Sequence, residues 1–211
     1  MPRLLQLSLL AAIATAACIL TIDRPLAQWV GGHDTVPDVW NQIIAWLEYP
    51  LGIEPWKWTG VCVLVAGSLV TLGVSRLRPA AAAFLAVTLT HLLCRHASLW
   101  GKTFTGRLRP TQWLAHGGGT HPTFWQDGGY SFPSGHVLLF GSIVLPIVAL
   151  YPRTRPLLAI IAFVMVARVA VDAHFASDVL GGLAVTAAFT WLAVLVVRRV
   201  LPSQIRPASL R

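Results

Sequence analysis

The chain has 211 residues, of which 55% are hydrophobic and only 11% are charged, whereas a soluble domain carries about 25% charged residues. This composition excludes a water-soluble enzyme and, because disorder requires low hydrophobicity, an intrinsically disordered chain, and the length predicts one domain over residues 1–211. The net charge of +8 is compatible with nucleic-acid binding, but arginine also orients membrane proteins, so no nucleic-acid partner is expected.

Six apolar runs are predicted to be transmembrane helices, since each approaches the roughly 20 residues that cross a hydrocarbon core. In chain order they cover residues 4–22, 59–74, 80–99, 135–150, 157–171 and 178–197. Arg3 and the small residues near the end of the first run are also typical of a signal peptide, but the length of the run favours a retained helix. The predicted fold is therefore an all-α bundle of six spans.

The charges between the runs predict the orientation of the bundle. One set of segments carries arginines and no acid: Arg3, Arg76, Arg78, Arg153, Arg155, Arg198, Arg199, Arg206 and Arg211. All eight acids lie in or beside the opposite segments. By the positive-inside rule the arginine side and both termini are cytoplasmic, and segments 23–58, 100–134 and 172–177 face outward.

The first outer loop contains a stripe of apolar residues at helical spacing. Its members are Val39, Trp40, Ile43, Ile44 and Leu47. The stripe predicts a helix lying flat on the outer leaflet, and a short helix capping the bundle is the alternative.

Three polar clusters lie at the outer ends of the predicted spans, where ionisable residues usually mark function. They cover residues 102–110, 133–136 and 168–178, and the topology brings them to one membrane face. The start of the fourth span has free backbone N–H groups, with Ser134 as a plausible N-cap and Gly135 allowing close approach of a ligand. Lys102, Arg109 and Arg168 add donors suited to phosphate oxygens. The sequence therefore predicts a phosphate site.

Two histidines in these clusters, His136 and His174, suggest chemistry as well as binding. One imidazole can attack phosphorus while the other protonates the leaving oxygen. Asp178 follows His174 by four residues and shares its face if the segment is helical, where it would orient the imidazole. Because no acidic cluster suited to Mg²⁺ occurs, a reaction without metal or cofactor is expected.

The three clusters carry recognisable motifs: Lys102-x6-Arg109-Pro110, Pro133-Ser134-Gly135-His136 and Arg168-x5-His174-x3-Asp178. In order, spacing and placement the chain resembles the type 2 phosphatidic acid phosphatase (PAP2) superfamily. The resemblance implies that His174 is the nucleophile that forms a phosphohistidine, that His136 protonates the leaving group and that Asp178 orients His174. It also implies a role in holding the phosphoryl oxygens for five residues: Lys102, Arg109, Ser134, Gly135 and Arg168. Ala167 departs from the family, which commonly has serine there.

The remaining polar residues have open interpretations. Arg107 is either a further phosphate or headgroup contact or an interfacial residue. Arg95, one turn after His91, either extends the cationic pocket or makes a structural hydrogen bond. His116 and His121 lack a third ligand at suitable spacing, so a metal site there is not expected. The glycine-rich segment 117–129 is predicted to be a mobile entrance loop.

The combined expectation is an integral membrane lipid phosphatase at the outer face of a bacterial inner membrane. The candidate substrates are undecaprenyl diphosphate, phosphatidic acid and phosphatidylglycerol phosphate. Lipid A phosphate as substrate, or phosphoryl transfer to a second lipid, is the alternative on the same site. A non-hydrolytic lipid-phosphate binding protein or flippase is the alternative of another class. The expected partners are the lipid substrate and the bilayer, with no obligate protein partner.

Overall fold

The computed structural model describes residues 2–33, 37–49 and 58–202. Within these residues the secondary structure is helical, without strands. The helices are α1 (Pro2–Thr21), α2 (Asp23–Gly31), α3 (Pro37–Glu48), α4 (Thr59–Gly73), α5 (Arg78–Thr105), α6 (Pro110–Ala115), α7 (Gly135–Leu150), α8 (Leu158–Ala170) and α9 (Ala176–Val200). Short 3-10 turns at Ser75–Leu77 and Pro152–Leu157 precede α5 and α8.

Each of the six predicted apolar runs forms a helix, as α1, α4, α5, α7, α8 and α9. Three helical segments, Pro2–Thr21, Ser75–Ala115 and Ala176–Val200, are long and apolar enough to cross a membrane. The shorter helices α4 and α7 are also apolar. The prediction of an all-α membrane protein is therefore confirmed at this level, whereas the count of six crossings stays a prediction.

The end of α5 shows how local sequence determines a boundary. The helix continues past the predicted run to Thr105 and stops at Gly106, whose φ of +46° lies in the left-handed region. A Cβ at this glycine would lie 2.9 Å from the carbonyl oxygen of Gln126. The chain therefore turns there, which directs Arg107 and Leu108 into the interior of the fold.

The long helix α9 is the centre of the bundle, since it packs against α1, α5 and α7. Small residues permit the close packing: a Cβ on Gly141 of α7 would lie 2.9 Å from the side chain of Thr186 on α9. The periphery carries large exposed apolar side chains, among them Leu10, Ile13 and Leu69. An apolar exterior around a packed interior is expected for a protein whose solvent is lipid.

Two short helices were not predicted from the sequence. Asp23 begins α2 directly after the first apolar helix, and Pro110 begins α6 directly after the first polar cluster. Both lie beside the predicted site, because α2 packs on α6 and touches α8 and α9. The third helix outside the bundle, α3, was predicted, and it packs against α8.

Candidate active site

The three polar clusters meet at one end of the bundle, as predicted. The backbone N–H of Ser134 donates to the carbonyl oxygen of Asp178 at 3.0 Å, which joins the second cluster to the third. The Nζ atom of Lys102, on the last turns of α5, lies 3.2 Å from the position that a Cβ on Gly135 would occupy. Residues separated by up to 76 positions thus share one site.

His174 lies in the turn before α9 and is 2% exposed. Its Nδ1 atom is 3.5 Å from Oδ2 of Asp178 and 3.3 Å from Oγ of Ser131. Because these groups face Nδ1, the opposite ring nitrogen, Nε2, is the one that a substrate can reach. The expected pairing of His174 with Asp178 is present, but the helical face assumed for it is wrong, since α9 begins only at Ala176.

Asp178 is fully buried and is held from three directions. Its Oδ2 accepts hydrogen bonds from Ser131 Oγ at 2.6 Å and from the backbone N–H of Phe175 at 2.8 Å. Its Oδ1 accepts from Nη1 of Arg107 at 2.6 Å. The bond to Phe175 also caps the start of α9, so the carboxylate is fixed by the helix as well as by its partners.

Arg107 is 1% exposed and stands behind Asp178. Its Nη2 lies 2.7 Å from Oδ2 of Asp23. The guanidinium carbon is 4.4 Å from the ring centroids of both Phe124 and Phe175, so the cation is enclosed between two aromatic faces. Both sequence-based interpretations of Arg107 are therefore wrong, because both Nη atoms are paired with buried carboxylates and the guanidinium lies between two rings; Nε is the one nitrogen of this side chain without a hydrogen-bond partner among the described residues.

Asp23 completes this buried group. Besides pairing with Arg107, its carboxylate accepts the backbone N–H of Ser177 at 3.0 Å and is hydrogen-bonded by the Ser177 hydroxyl. Sequence reasoning missed Asp23, Ser131 and Ser177 as members of the site. The available signal was an acid directly after a predicted span, which is costly in an apolar setting unless a cation pairs with it.

The anion-binding side of the site has polar atoms without partners. Ser134 occupies the N-cap position of α7, as predicted, but it makes no capping bond. Its buried Oγ and the buried Nε of Arg168 lack hydrogen-bond partners among the described residues. Unpaired buried polar atoms are costly, so these two atoms are available to a ligand with oxygen atoms.

Lys102 and Arg109 complete the cationic side. Lys102 interacts electrostatically with Arg109, Arg168 and Asp178. Arg109 is exposed, and its backbone N–H donates to Oε1 of Gln112 at the start of α6. Because Lys102 also lies beside Gly135, which follows Ser134, the five residues predicted to hold phosphate share one neighbourhood.

The helix α3 contributes two contacts that the sequence did not reveal. Oε1 of Glu48 lies 3.0 Å from Nε2 of His136, and both side chains are partly exposed. Oδ1 of Asn41 accepts a hydrogen bond from Nη1 of Arg168 at 3.3 Å. The helix α3 therefore reaches two of the predicted site residues.

The surroundings of His174 lower the pKa of its imidazole. Burial is the largest cause, and the positive charges of Arg168 and Lys102 act in the same direction, whereas Asp178 partly offsets them. A lowered pKa keeps the imidazole neutral near pH 7, which is the form that can act as a nucleophile.

The remaining polar residues with open interpretations lie outside the group of residues around His174. His91 is buried and hydrogen-bonds to Oγ of Ser142 at 2.9 Å, and the guanidinium of Arg95 stacks on the ring of Trp58 at 4.0 Å. The rings of His116 and His121 are 5.4 Å apart. In the described ranges, no three His, Cys, Asp or Glu side chains are grouped to hold a metal ion.

Comparison with known proteins agrees with this geometry. The model of the PAP2 superfamily matches residues 76–201, more than half of the chain. The chain is also 35% identical over 100 residues to a lipid A 1-phosphatase of Rhizobium johnstonii. That alignment covers 46% of this chain and 41% of the relative, so the chain matches about two fifths of the relative's length. On the family match and the three motifs that meet in its fold, the chain belongs to the PAP2 superfamily.

Proposed function

We propose that this protein is an integral membrane lipid phosphatase, with one domain over residues 1–211, that removes a terminal phosphate through a phosphohistidine. The observation that carries the proposal is the buried imidazole of His174, which interacts with Arg168 and Lys102, together with the buried atoms Ser134 Oγ and Arg168 Nε, which lack partners among the described residues. In the proposal a phosphoryl group satisfies both atoms and lies within reach of the imidazole.

The proposed reaction has two steps. In the first, Nε2 of His174 attacks phosphorus, and the bond to the leaving oxygen breaks with its electron pair while His136 donates a proton to that oxygen. In the second, water attacks the phosphohistidine, His136 takes a proton from it, and inorganic phosphate leaves. Asp178 stays ionised, accepts the hydrogen bond from Nδ1–H and offsets the positive charge of the imidazole.

The buried group of Asp23, Arg107 and Asp178 supports the proposed role of His174. Asp178 is held at 2.6 Å by both Arg107 and Ser131, so its position does not depend on the substrate. Such preorganised groups favour charge development without rearrangement during the reaction. In this proposal the cations of Lys102, Arg109 and Arg168 neutralise the phosphoryl oxygens, and the chemistry is independent of metal.

The proposed substrate is a lipid phosphate or diphosphate whose chains stay in the bilayer. Undecaprenyl diphosphate, phosphatidic acid and phosphatidylglycerol phosphate are candidates, and the relative named as a lipid A 1-phosphatase supports lipid A phosphate as another. We propose six crossings, with α4, α7 and α8 extended by flanking residues, and α3 at the outer interface, where Val39, Ile43 and Trp46 are exposed. Both termini are placed in the cytoplasm and the site at the outer face of a bacterial inner membrane.

The test is phosphate release by the purified protein in detergent, with and without EDTA, over a panel of these lipids. We expect release that survives chelation and that falls by at least about 10³-fold in His174→Ala. His96→Ala, an exposed histidine on α5, is the matched control and should keep full turnover. Loss of activity with EDTA would overturn the metal-free reaction, and full turnover in His174→Ala would overturn the assignment of the nucleophile.

The same assay separates the alternatives. Loss of phosphate from the substrate only when a second lipid is supplied, with the phosphoryl group recovered on that acceptor, identifies a phosphotransferase. Binding of lipid phosphates with neither release of inorganic phosphate nor transfer to an acceptor contradicts the enzyme and favours a binding protein or flippase. Protease accessibility of the segment 111–130 from the outside only is expected from the proposed orientation.

A further inference from the structure

The position of Glu48 bears on which lipid phosphates the site accepts. Glu48 ends α3, a helix that packs onto the bundle through one face. Ile44 of that face is 3% exposed, Leu47 packs against the main core cluster, and the ring of Trp40 lies 5.5 Å from the ring of Phe163. The carboxylate is therefore carried by an anchored element.

Glu48 stands on the leaving-group side of the proposed site. Its Oε1 is 3.0 Å from Nε2 of His136, the imidazole that protonates the leaving oxygen in the proposed reaction. The cations proposed to face the transferred phosphoryl group, Lys102, Arg109 and Arg168, belong to other elements, and Glu48 interacts electrostatically with Arg168. The site thus divides into a cluster of cations and an acid that lies beside the leaving-group imidazole and also faces one of those cations.

This division should affect phosphate monoesters and diphosphates differently. A phosphate monoester leaves as an alcohol, which is uncharged once His136 has protonated it and can hydrogen-bond to a carboxylate. A diphosphate leaves as a lipid phosphate, whose negative charge would lie within a few ångströms of Glu48. Like charges at such a distance in a partly buried setting repel strongly.

We infer that Glu48 is a specificity-determining residue that selects lipid phosphate monoesters, with an alcohol of a glycerol or sugar headgroup as the leaving group, against lipid diphosphates. The inference rests on the proposed function, since it assumes that His136 protonates the leaving oxygen. The presence of a proton donor agrees with a monoester substrate. An alkoxide is a poor leaving group without protonation, whereas a phosphate leaves readily.

The test compares two lipids with the same chains, phosphatidic acid and diacylglycerol diphosphate, in detergent micelles. We expect the wild type to have the higher kcat/KM for phosphatidic acid. Glu48→Gln should increase the ratio of kcat/KM for diphosphate over monoester by about tenfold or more, because it removes the repelling charge and keeps the shape. Asp38→Asn, which removes an exposed charge from the first turn of the same helix, is the matched control and should leave the ratio unchanged.

A binding measurement keeps the inference testable apart from turnover. Inorganic phosphate and pyrophosphate serve as probes, and Glu48→Gln should increase the affinity for pyrophosphate relative to phosphate. An unchanged ratio in both measurements would overturn the role of Glu48. Absence of phosphate release from every lipid would instead overturn the proposed function and, with it, the inference about the leaving group.

Discussion

The two halves of the site differ in how their polar groups are satisfied. The inner half consists of Asp23, Arg107, Asp178, Ser131 and His174, all of which are buried. Hydrogen bonds of 2.6–2.7 Å connect the first four, and Nδ1 of His174 lies 3.3 Å from Ser131 and 3.5 Å from Asp178. The outer half contains the predicted phosphate ligands and His136, with the exposed cation Arg109 and a contact to α3. Apart from Nε of Arg107, the buried polar side-chain atoms of the inner half are satisfied within the protein, whereas the outer half leaves Ser134 Oγ and Arg168 Nε unpaired among the described residues. The residues that fix the position of His174 are thus different from the residues proposed to bind the substrate.

The largest expected effect is a difference in stability between variants of two arginines, Arg107 and Arg109, that are two residues apart. Arg107→Met should cost about 3–5 kcal/mol of stability, because Asp23 and Asp178 then remain buried without their cation. Arg109→Met should change the stability by less than about 0.5 kcal/mol, since Arg109 is exposed, but it should raise KM. The measurements are the free energy of unfolding in mixed micelles and the steady-state constants. Equal losses of stability in both variants would contradict the division into two halves.

Asp23→Asn should act on catalysis through Arg107 and Asp178. We expect kcat to fall by about 10–100-fold, as for other residues that orient a reacting group, while KM changes by less than about twofold. Asp127→Asn, in an exposed part of the outer loop, provides the control of equal charge change. A raised KM with unchanged kcat would mean that this group binds the substrate directly.

Two serines on the fourth apolar segment make a finer comparison. Ser134→Ala removes a buried hydroxyl that has no partner among the described residues, so the protein without ligand should become no less stable, while the affinity for inorganic phosphate falls by about tenfold. Ser142→Ala loses the bonds to His91 and to the carbonyl oxygen of Leu139, so it should cost about 1 kcal/mol and leave phosphate affinity intact. The reverse pattern would place the ligand away from the start of α7.

The smallest expected effect is in the pH profile. Because the pKa of His174 is lowered in the folded protein, the imidazole stays neutral at and below its ordinary value of 6.5, and the acid limb of kcat/KM should lie below pH 6.5. The contribution of His174 to the free energy of unfolding is complete above pH 6.5. It is lost as the pH falls from 6.5 to the pKa of His174 in the folded protein, because the unfolded chain binds more protons in this range.

A control is needed for the acid limb, since burial raises the pKa of Asp172 to about 6. Asp172 also titrates in this range but makes no contact with His174 among the described interactions. Asp172→Asn should therefore leave the limb of kcat/KM in place. A limb that disappears in this variant would assign the titration to Asp172 instead.

The fold could be predicted further from the sequence than the site could. The six apolar helices follow from hydropathy and length, which are local properties, and their bounds agree with the predicted runs to within a few residues, apart from the longer α5. The motif residues could also be predicted, because topology and resemblance place them together. Arg107 could not, since in a basic segment it looks like Arg109, and its burial depends on carboxylates 84 residues before it and 71 residues after it.

Glu48 and Asn41 could not be predicted for a related reason. The apolar stripe of α3 was recognised, but a stripe specifies only that a face is buried, not which polar neighbours lie at its edge. Their contacts with His136 and Arg168 arise from tertiary packing of α3 on α8. These contacts could not be predicted because the residues are far apart in the sequence, although the chemistry of each contact is simple.

The pairing of Asp23, Arg107 and Asp178 also constrains the order of assembly during synthesis. Asp23 follows the first apolar helix, and Arg107, with which it forms a neutral pair, is synthesised 84 residues later. Asp178 arrives 71 residues later with Ser177, and only then does the group gain its second carboxylate beside His174. A chain released before α9 is synthesised would contain the pair of Asp23 and Arg107 but would lack Asp178, the carboxylate beside His174.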